Sequence, residues 1–114
     1  FDRSKALEVT TNLMQDLSKA KGILAENEEM AIGAISALGS KAGQSAKVVG
    51  FDGTADGIKA VKAGTMGATI AQQPALLGKT AVDQAAGILA GKQVSKTTPI
   101  KVVLVTKDNA KGYE

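Results

Sequence analysis

The stretch that decides the fold is Lys47-Val48-Val49-Gly50-Phe51-Asp52-Gly53-Thr54. Its first five residues form a short apolar run that is typical of a buried β-strand. Asp52 and Gly53 follow at once and are typical of a turn. Thr54 is a favourable N-cap for a helix over residues 55–63, and Gly64 would end that helix. The stretch therefore predicts a strand, a turn and a helix in immediate succession.

The same alternation of helices and short apolar strands runs along the rest of the chain. Asp2 or Ser4 would cap a first helix that Gly22 ends, and Asn27 would cap a second. The remaining predicted elements are strands at 22–25, 66–71 and 100–106, helices closing at Gly39 and at Gly91, and Pro74 at the start of the last helix. This order predicts an α/β fold with a parallel sheet covered by helices on both faces.

The predicted sheet is small for such a fold. The chain begins on a helix with no strand ahead of it, so we expect one sheet edge to be open and apolar. We therefore expect the fold to need residues that are not in this sequence, and the isolated chain not to form a stable monomer.

Composition excludes several classes of function. The 114 residues include no Cys and no His, which removes thiol nucleophiles, Cys or His metal sites and imidazole triads. The turn at Asp52 resembles a phosphotransfer motif, but Gly50 stands where a second Asp is needed. It also resembles a calcium loop, but Ala63 stands where the bidentate Glu belongs. We find no acid–base pair and no phosphate loop, and we predict no catalytic activity, metal or cofactor.

The charge pattern does not suit a nucleic-acid partner. The net charge is +3, with 14 basic residues of which 13 are lysines spread along the chain. Aromatic residues make up 3% of the sequence, so there is little for bases to stack on. No apolar run reaches the length of about 20 residues that a membrane-spanning helix needs.

Polar residues follow three of the predicted strands. Asn27, Asp52 and Gln72 each come after a strand, and ligands of open α/β sheets bind beyond the carboxyl ends of strands. One carboxylate and two amides match vicinal hydroxyls, which both donate and accept hydrogen bonds. Phe1, if it lies at the end of a strand just upstream, would add a flat apolar face for sugar C–H groups. Structural alternatives stay open: Asn27 as a cap, Asp52 as a turn residue, Gln72 as surface and Phe1 as core.

Four motifs carry a family resemblance: Phe1-Asp2-Arg3, Ala25-Glu26-Asn27-Glu28-Glu29-Met30-Ala31-Ile32-Gly33-Ala34, Val48-Val49-Gly50-Phe51-Asp52-Gly53-Thr54 and Ala68-Thr69-Ile70-Ala71-Gln72-Gln73-Pro74. In one register over essentially the whole chain, they resemble the C-terminal part of type I periplasmic sugar-binding proteins. These are solute receptors of ABC importers, and the resemblance is to the members that bind D-ribose. It implies the type I periplasmic-binding-protein fold, of which this chain would be less than half.

The resemblance also implies roles for single residues. Phe1 would pack on the sugar ring, Asn27 would bind sugar hydroxyls, and Asp52 would bind a pair of hydroxyls. Gln72 would do the same near a hinge. Glu28 stands where the family pattern has Asp, and we expect that change to be neutral because the position is not a ligand position.

The resemblance divides the chain into three parts. Residues 1–71 would be most of the C-terminal lobe, and 72–102 a hinge crossing with a helix and strand of the N-terminal lobe. Residues 103–114 would be a return hinge and a C-terminal tail. The implied partners are a ribose-like monosaccharide, the missing N-terminal part of the same protein and the importer's permease subunits. The implied location is the periplasm, or the cell exterior as an anchored lipoprotein in a Gram-positive cell.

An alternative of a different class is the effector-binding domain of a LacI-type sugar-responsive transcriptional regulator, which shares this fold. The Gly-Phe-Asp-Gly-Thr and Ala-Thr-Ile-Ala-Gln-Gln-Pro motifs resemble the transport branch more closely. The identity of the sugar also stays open, since another pentose, a hexose or a furanose-like signalling molecule would suit the same groups.

Overall fold

The structure is a computed structural model that describes residues 1–113, apart from the side chain of Ser18. It contains two compact units, which are described separately. The first is Phe1–Ala71 with Val103–Glu114, and the second is Gln72–Val102. No helix among the described residues combines the length and the apolar character needed to cross a membrane.

The first unit is built on a four-stranded sheet in the order β1-β2-β3-β4. The strands are β1 (Gly22–Leu24), β2 (Lys47–Asp52), β3 (Ala68–Ala71) and β4 (Val103–Thr106). The first three are parallel, as the alternation of strands and helices predicts. β4 is antiparallel to β3, so the prediction of an all-parallel sheet is wrong at this strand.

The direction of β4 follows from where the chain re-enters the sheet. Ala71, the last residue of β3, pairs with Val103, the first residue of β4. The chain leaves and returns at the same end of the sheet, and the returning strand must therefore run back along its neighbour. The strand predicted from Ile100 begins only at Val103.

Three α-helices belong to the first unit: α1 (Arg3–Asn12), α2 (Glu28–Leu38) and α3 (Ala55–Ala63). The predicted caps of α2 and α3 are confirmed. The Asn27 side chain accepts from the backbone N–H of Met30, and the Thr54 side chain accepts from that of Gly57. Gly64 ends α3 with φ +81°, a left-handed conformation that glycine adopts without strain.

The first helix is shorter than its sequence predicts. Asp2 caps it and Gly22 begins a strand, both as predicted, but α1 ends at Asn12 and not at Gly22, and a 3₁₀ turn follows at Asp16–Lys19. Leu7 and Leu13, two apolar residues of the segment predicted as this helix, remain exposed. Since burial of an apolar face supplies most of the stability of a protein helix, little stabilises a longer α1.

The core of the first unit lies between the sheet and the helices. Its most deeply buried apolar side chains are Ala31, Val48, Val61, Met66, Val105 and Ala110. The apolar run at 22–25 is typical of a buried strand, but Leu24 of β1, at the edge of the described sheet, is 78% exposed. A Cβ on Gly33 of α2 would lie 2.3 Å from the carbonyl oxygen of Arg3. This close approach seats the start of α1 directly against α2.

The second unit contains one α-helix, α4 (Pro74–Leu89), with Pro74 in its first turn as predicted. None of its described residues is buried. Its exposed apolar side chains include Leu76, Leu77, Val82, Ile88 and Leu89. No strand is described between 72 and 102. The segment after Val102 contains β4 and a 3₁₀ turn at Ala110–Gly112, both within the first unit, and its predicted role as a return hinge and tail stays a prediction.

Candidate functional site

Two of the predicted site residues meet at the N-terminus of α2. Asn27 follows β1 and its Oδ1 accepts from the backbone N–H of Met30 at 3.0 Å. Asp52 is the last residue of β2, and its Oδ2 accepts from the backbone N–H of Glu28 at 3.4 Å. Carboxyl ends of neighbouring parallel strands lie side by side, which is why residues 25 positions apart in sequence reach one helix end. The structure therefore brings an amide and a carboxylate together where α/β sheets bind ligands.

The backbone at Asp52 is strained. Its φ is +126°, and it is the one non-glycine residue with positive φ among residues 1–113. Gly53 follows with φ +74°, and a Cβ there would lie 2.4 Å from the Cβ of Ala71. The turn therefore presses against the end of β3, where only glycine fits. Strained backbone of this kind persists only when surrounding contacts fix it, and here it directs the Asp52 carboxylate towards α2.

Glu28 is a site-adjacent residue that sequence reasoning missed. Its side chain is fully buried, although it occupies the first position of α2, which is usually exposed to solvent. Oε2 accepts a hydrogen bond from the backbone N–H of Thr54. A Cβ on Gly57 would lie 1.9 Å from Cδ of Glu28, so the missing side chain at Gly57 creates the space for the carboxylate. The signal in the sequence is that Glu28 stands where the family pattern has Asp.

An ion cluster joins the first turns of the three helices. Arg3 of α1 donates from Nε and Nη2 to the two carboxylate oxygens of Glu29 at 2.9 and 2.8 Å. Nη2 also donates to Oδ2 of Asp56 in α3 at 3.0 Å. The hydrogen bonds with Glu29 and then Asp56 raise the pKa of Arg3. The hydrogen bond from Arg3 lowers the pKa of Glu29. The cluster holds the start of α1 close to the end of α2 that carries Asn27.

We expect Arg3→Gln to raise the pKa of Glu29 towards its ordinary value, because the charged donor that lowers it is gone. A carboxyl group whose pKa is lower in the folded protein than in the unfolded one stabilises the fold at pH values above its unfolded-state pKa. That contribution is lost as the pH falls through the folded-state pKa. The loss of stability should therefore be present at neutral pH and absent in strong acid. Carboxyl NMR titration of Glu29 in both proteins measures the shift, and an identical pKa would contradict the ion pairing.

Phe1 lies at the same end of the unit as this cluster. It is 87% exposed, so within the described residues it is not a core side chain. It lines an open groove of about 390 Å³ whose apolar walls include Ala25, Ile23 and Met30. Its other lining residues include Val9, Thr10 and Ala34, so the groove runs between α1 and α2 beside β1, and neither Asn27 nor Asp52 is among the described residues that line it. An exposed aromatic ring there is available to a ligand.

Gln72 begins the second unit, immediately after the last residue of β3. Its side chain is exposed. The predicted role of Gln72 as a hydroxyl ligand stays a prediction. Within the range 1–113, no group of three or more His, Cys, Asp or Glu side chains is placed to hold a metal ion. The chemistry that the described site offers is hydrogen bonding by a carboxylate and an amide.

A mostly parallel α/β sheet with polar side chains at its carboxyl edge defines a class of small-molecule-binding domains. Residues 1–93 match the family described as periplasmic binding protein domain, and the chain belongs to this family. The ribose import binding protein of Haemophilus influenzae is 46% identical over 107 residues, which cover 94% of this chain. The chain spans only 36% of that relative's length.

Superposition on solved structures leads to the same family. A periplasmic solute-binding protein of an ABC transporter from Actinobacillus succinogenes, with bound D-allose, superposes with a TM-score of 0.91 at 33% identity. A solute-binding protein from Bacillus halodurans, with bound myo-inositol, has a TM-score of 0.88 at 32% identity. The two superpositions cover 98% and 99% of this chain, but only 40% and 39% of the respective solved chains. The predicted fold and the resemblance to ribose-binding receptors are confirmed, and the relatives named here are transport receptors.

Proposed function

We propose that this chain is part of the solute receptor of an ABC import system and helps to bind D-ribose or a closely related monosaccharide. The observation that carries the proposal is the meeting of Asn27 and Asp52 at the N-terminus of α2. An ionised carboxylate accepts from two hydroxyls at once, and an amide both donates and accepts. This combination suits vicinal hydroxyls of a neutral sugar better than it suits an ion.

Phe1 supplies the apolar part of the proposed site. Pyranose and furanose rings present C–H groups on their faces, and an exposed aromatic ring packs on such a face while the hydroxyls remain free at the edge. The 87% exposure of Phe1 supports this role, as does its position two residues before Arg3, whose side chain binds Glu29 in the first turn of α2. Gln72 is proposed as a further hydroxyl ligand on the strength of the sequence resemblance.

The two-lobe arrangement is also a proposal. Residues 1–71 would belong to the C-terminal lobe and 72–102 to the N-terminal lobe, with hinge crossings at both borders. The exposed apolar side chains of α4 support this assignment, because unpartnered apolar surface of this kind calls for a covering partner. The rest of the receptor is proposed as that partner. In such receptors, closure of the lobes withdraws the sugar and its polar ligands from water.

The proposed location is the periplasm, or the cell exterior with a lipid anchor in a Gram-positive cell. The proposed further partners are the importer's permease subunits, which would distinguish the closed receptor from the open one by differential affinity. We propose no catalytic activity. The relatives named above are binding proteins of import systems, and no described feature favours the transcriptional regulator.

The test is calorimetric titration of the full-length protein that contains this chain. The sugars are D-ribose, D-allose and D-fucose, with myo-inositol as a cyclic polyol. We expect D-ribose to bind most tightly, with a Kd of about 1 μM or lower, which corresponds to roughly −8 kcal/mol. Tighter binding of D-allose would overturn the assignment of ribose alone. No binding of any of the four would overturn the proposed receptor function.

A further inference from the structure

We propose that Glu28 is a positioning residue of the sugar site that acts through Asp52, an inference that rests on the function proposed above. Residue 28 contacts the turn after β2 at two points. Its backbone N–H donates to Oδ2 of Asp52, and its side-chain Oε2 accepts from the backbone N–H of Thr54. One residue of α2 thus binds the turn on both sides of Gly53.

The turn needs such external contacts because its own conformation is strained. Asp52 has φ +126° and Gly53 has φ +74°. Left to local preferences, Asp52 would return to negative φ, and its carboxylate would swing away from the end of the sheet. The bond between Thr54 and the Glu28 carboxylate fixes the far side of the turn, and the bond from the Glu28 N–H fixes the carboxylate itself.

The burial of Glu28 indicates that its carboxylate has a role beyond packing. The side chain is fully buried, and Oε1 accepts no hydrogen bond from the described residues. An incompletely paired carboxylate inside a protein is unfavourable compared with an apolar side chain of similar volume. Gly57 in α3 leaves room for the group, since a Cβ there would overlap it. The arrangement is thus costly for stability and useful for fixing the turn that carries Asp52.

The test is a double-mutant cycle in the full-length protein, with D-ribose affinity measured by calorimetry and melting followed in parallel. Glu28→Gln keeps the volume against Gly57 and removes the charge. We expect it to raise the Kd for D-ribose about tenfold. In the Asp52→Asn background, the same change should raise the Kd less than about twofold, because the group it positions is already lost. Glu26→Gln, an exposed neighbour of the same charge, is the control and should leave the Kd unchanged.

Three outcomes would decide the matter. Equal affinity of Glu28→Gln and the unchanged protein would overturn the inference, as would a full tenfold loss in the Asp52→Asn background. A wild-type protein that binds none of the tested sugars would instead overturn the proposed function.

A second pair of variants covers the case in which Glu28→Gln does not fold. Thr54 has φ −68°, which proline adopts, so Thr54→Pro removes the N–H donor at a residue whose own φ suits proline. Thr54→Ala also loses the capping hydroxyl but keeps that N–H. We expect the Kd for D-ribose to be several-fold higher in Thr54→Pro than in Thr54→Ala. Equal values would overturn the inference.

Discussion

Asp52→Asn in the full-length protein is expected to raise the Kd for D-ribose about 100-fold. Hydrogen bonds to a charged acceptor contribute about 1.5–3 kcal/mol each, and the carboxylate is proposed to accept from two hydroxyls. The amide keeps one acceptor and presents an N–H₂ group where the second hydroxyl would donate. A net loss of about 2.7 kcal/mol corresponds to the expected change. Calorimetric titration at neutral pH measures it.

The matched control is Asp108→Asn, which removes the same charge from an exposed residue of the same unit. It should bind D-ribose as the unchanged protein does. Melting curves of both variants separate a loss of affinity from a loss of folding. If Asp52→Asn folds and binds D-ribose within a factor of two of its control, Asp52 is not a sugar ligand.

Gly57→Ala is expected to destabilise the full-length protein by about 2 kcal/mol, within the range for added volume in a packed core. The added Cβ would lie 1.9 Å from Cδ of Glu28 and 2.1 Å from its Oε1. Either α3 moves away from α2 or the Glu28 carboxylate leaves its place beside Thr54. Both adjustments remove favourable contacts, so the helix-propensity gain of alanine over glycine will not compensate.

Gly67→Ala provides the control for this substitution. Its Cβ would lie 3.5 Å from the nearest atom, the carbonyl oxygen of Val48, which is an ordinary contact distance. We expect its stability to change by less than about 0.5 kcal/mol. Denaturant melts of the two variants measure the difference. If the Gly57→Ala and Gly67→Ala proteins unfold at the same denaturant concentration, the close packing around Glu28 is not rigid.

Local signals predicted much of the first unit. The bounds of α2 and α3 follow from caps at Asn27 and Thr54 and from glycines just past each end, all of which act within one turn of helix. The end of α1 depends on whether its apolar side chains are buried, which no local signal reports. The direction of β4 depends on where the chain returns after residue 102. The end of α1 and the direction of β4 are set by tertiary structure, and for this reason the predictions from local sequence pattern were wrong for both.

The candidate site likewise contains residues that the sequence predicts and one that it does not. Asn27 and Asp52 were predictable because residues at the ends of neighbouring parallel strands must lie close together. Glu28 was not, because its burial depends on Gly57 and on the turn at Thr54, both more than 25 positions further along the chain. An acidic residue in the first turn of a helix is ordinarily explained by the helix dipole alone. The helix dipole gives no reason for the burial of Glu28.

The most direct measurement is a crystal structure of the full-length protein grown with D-ribose. We expect sugar hydroxyl oxygens within hydrogen-bond distance, about 2.6–3.2 Å, of both the Asp52 carboxylate and the Asn27 amide. We expect the Phe1 ring to pack on one face of the same sugar. A bound D-ribose that leaves Asn27 and Asp52 without contact, or that contacts only one of them, would contradict the account.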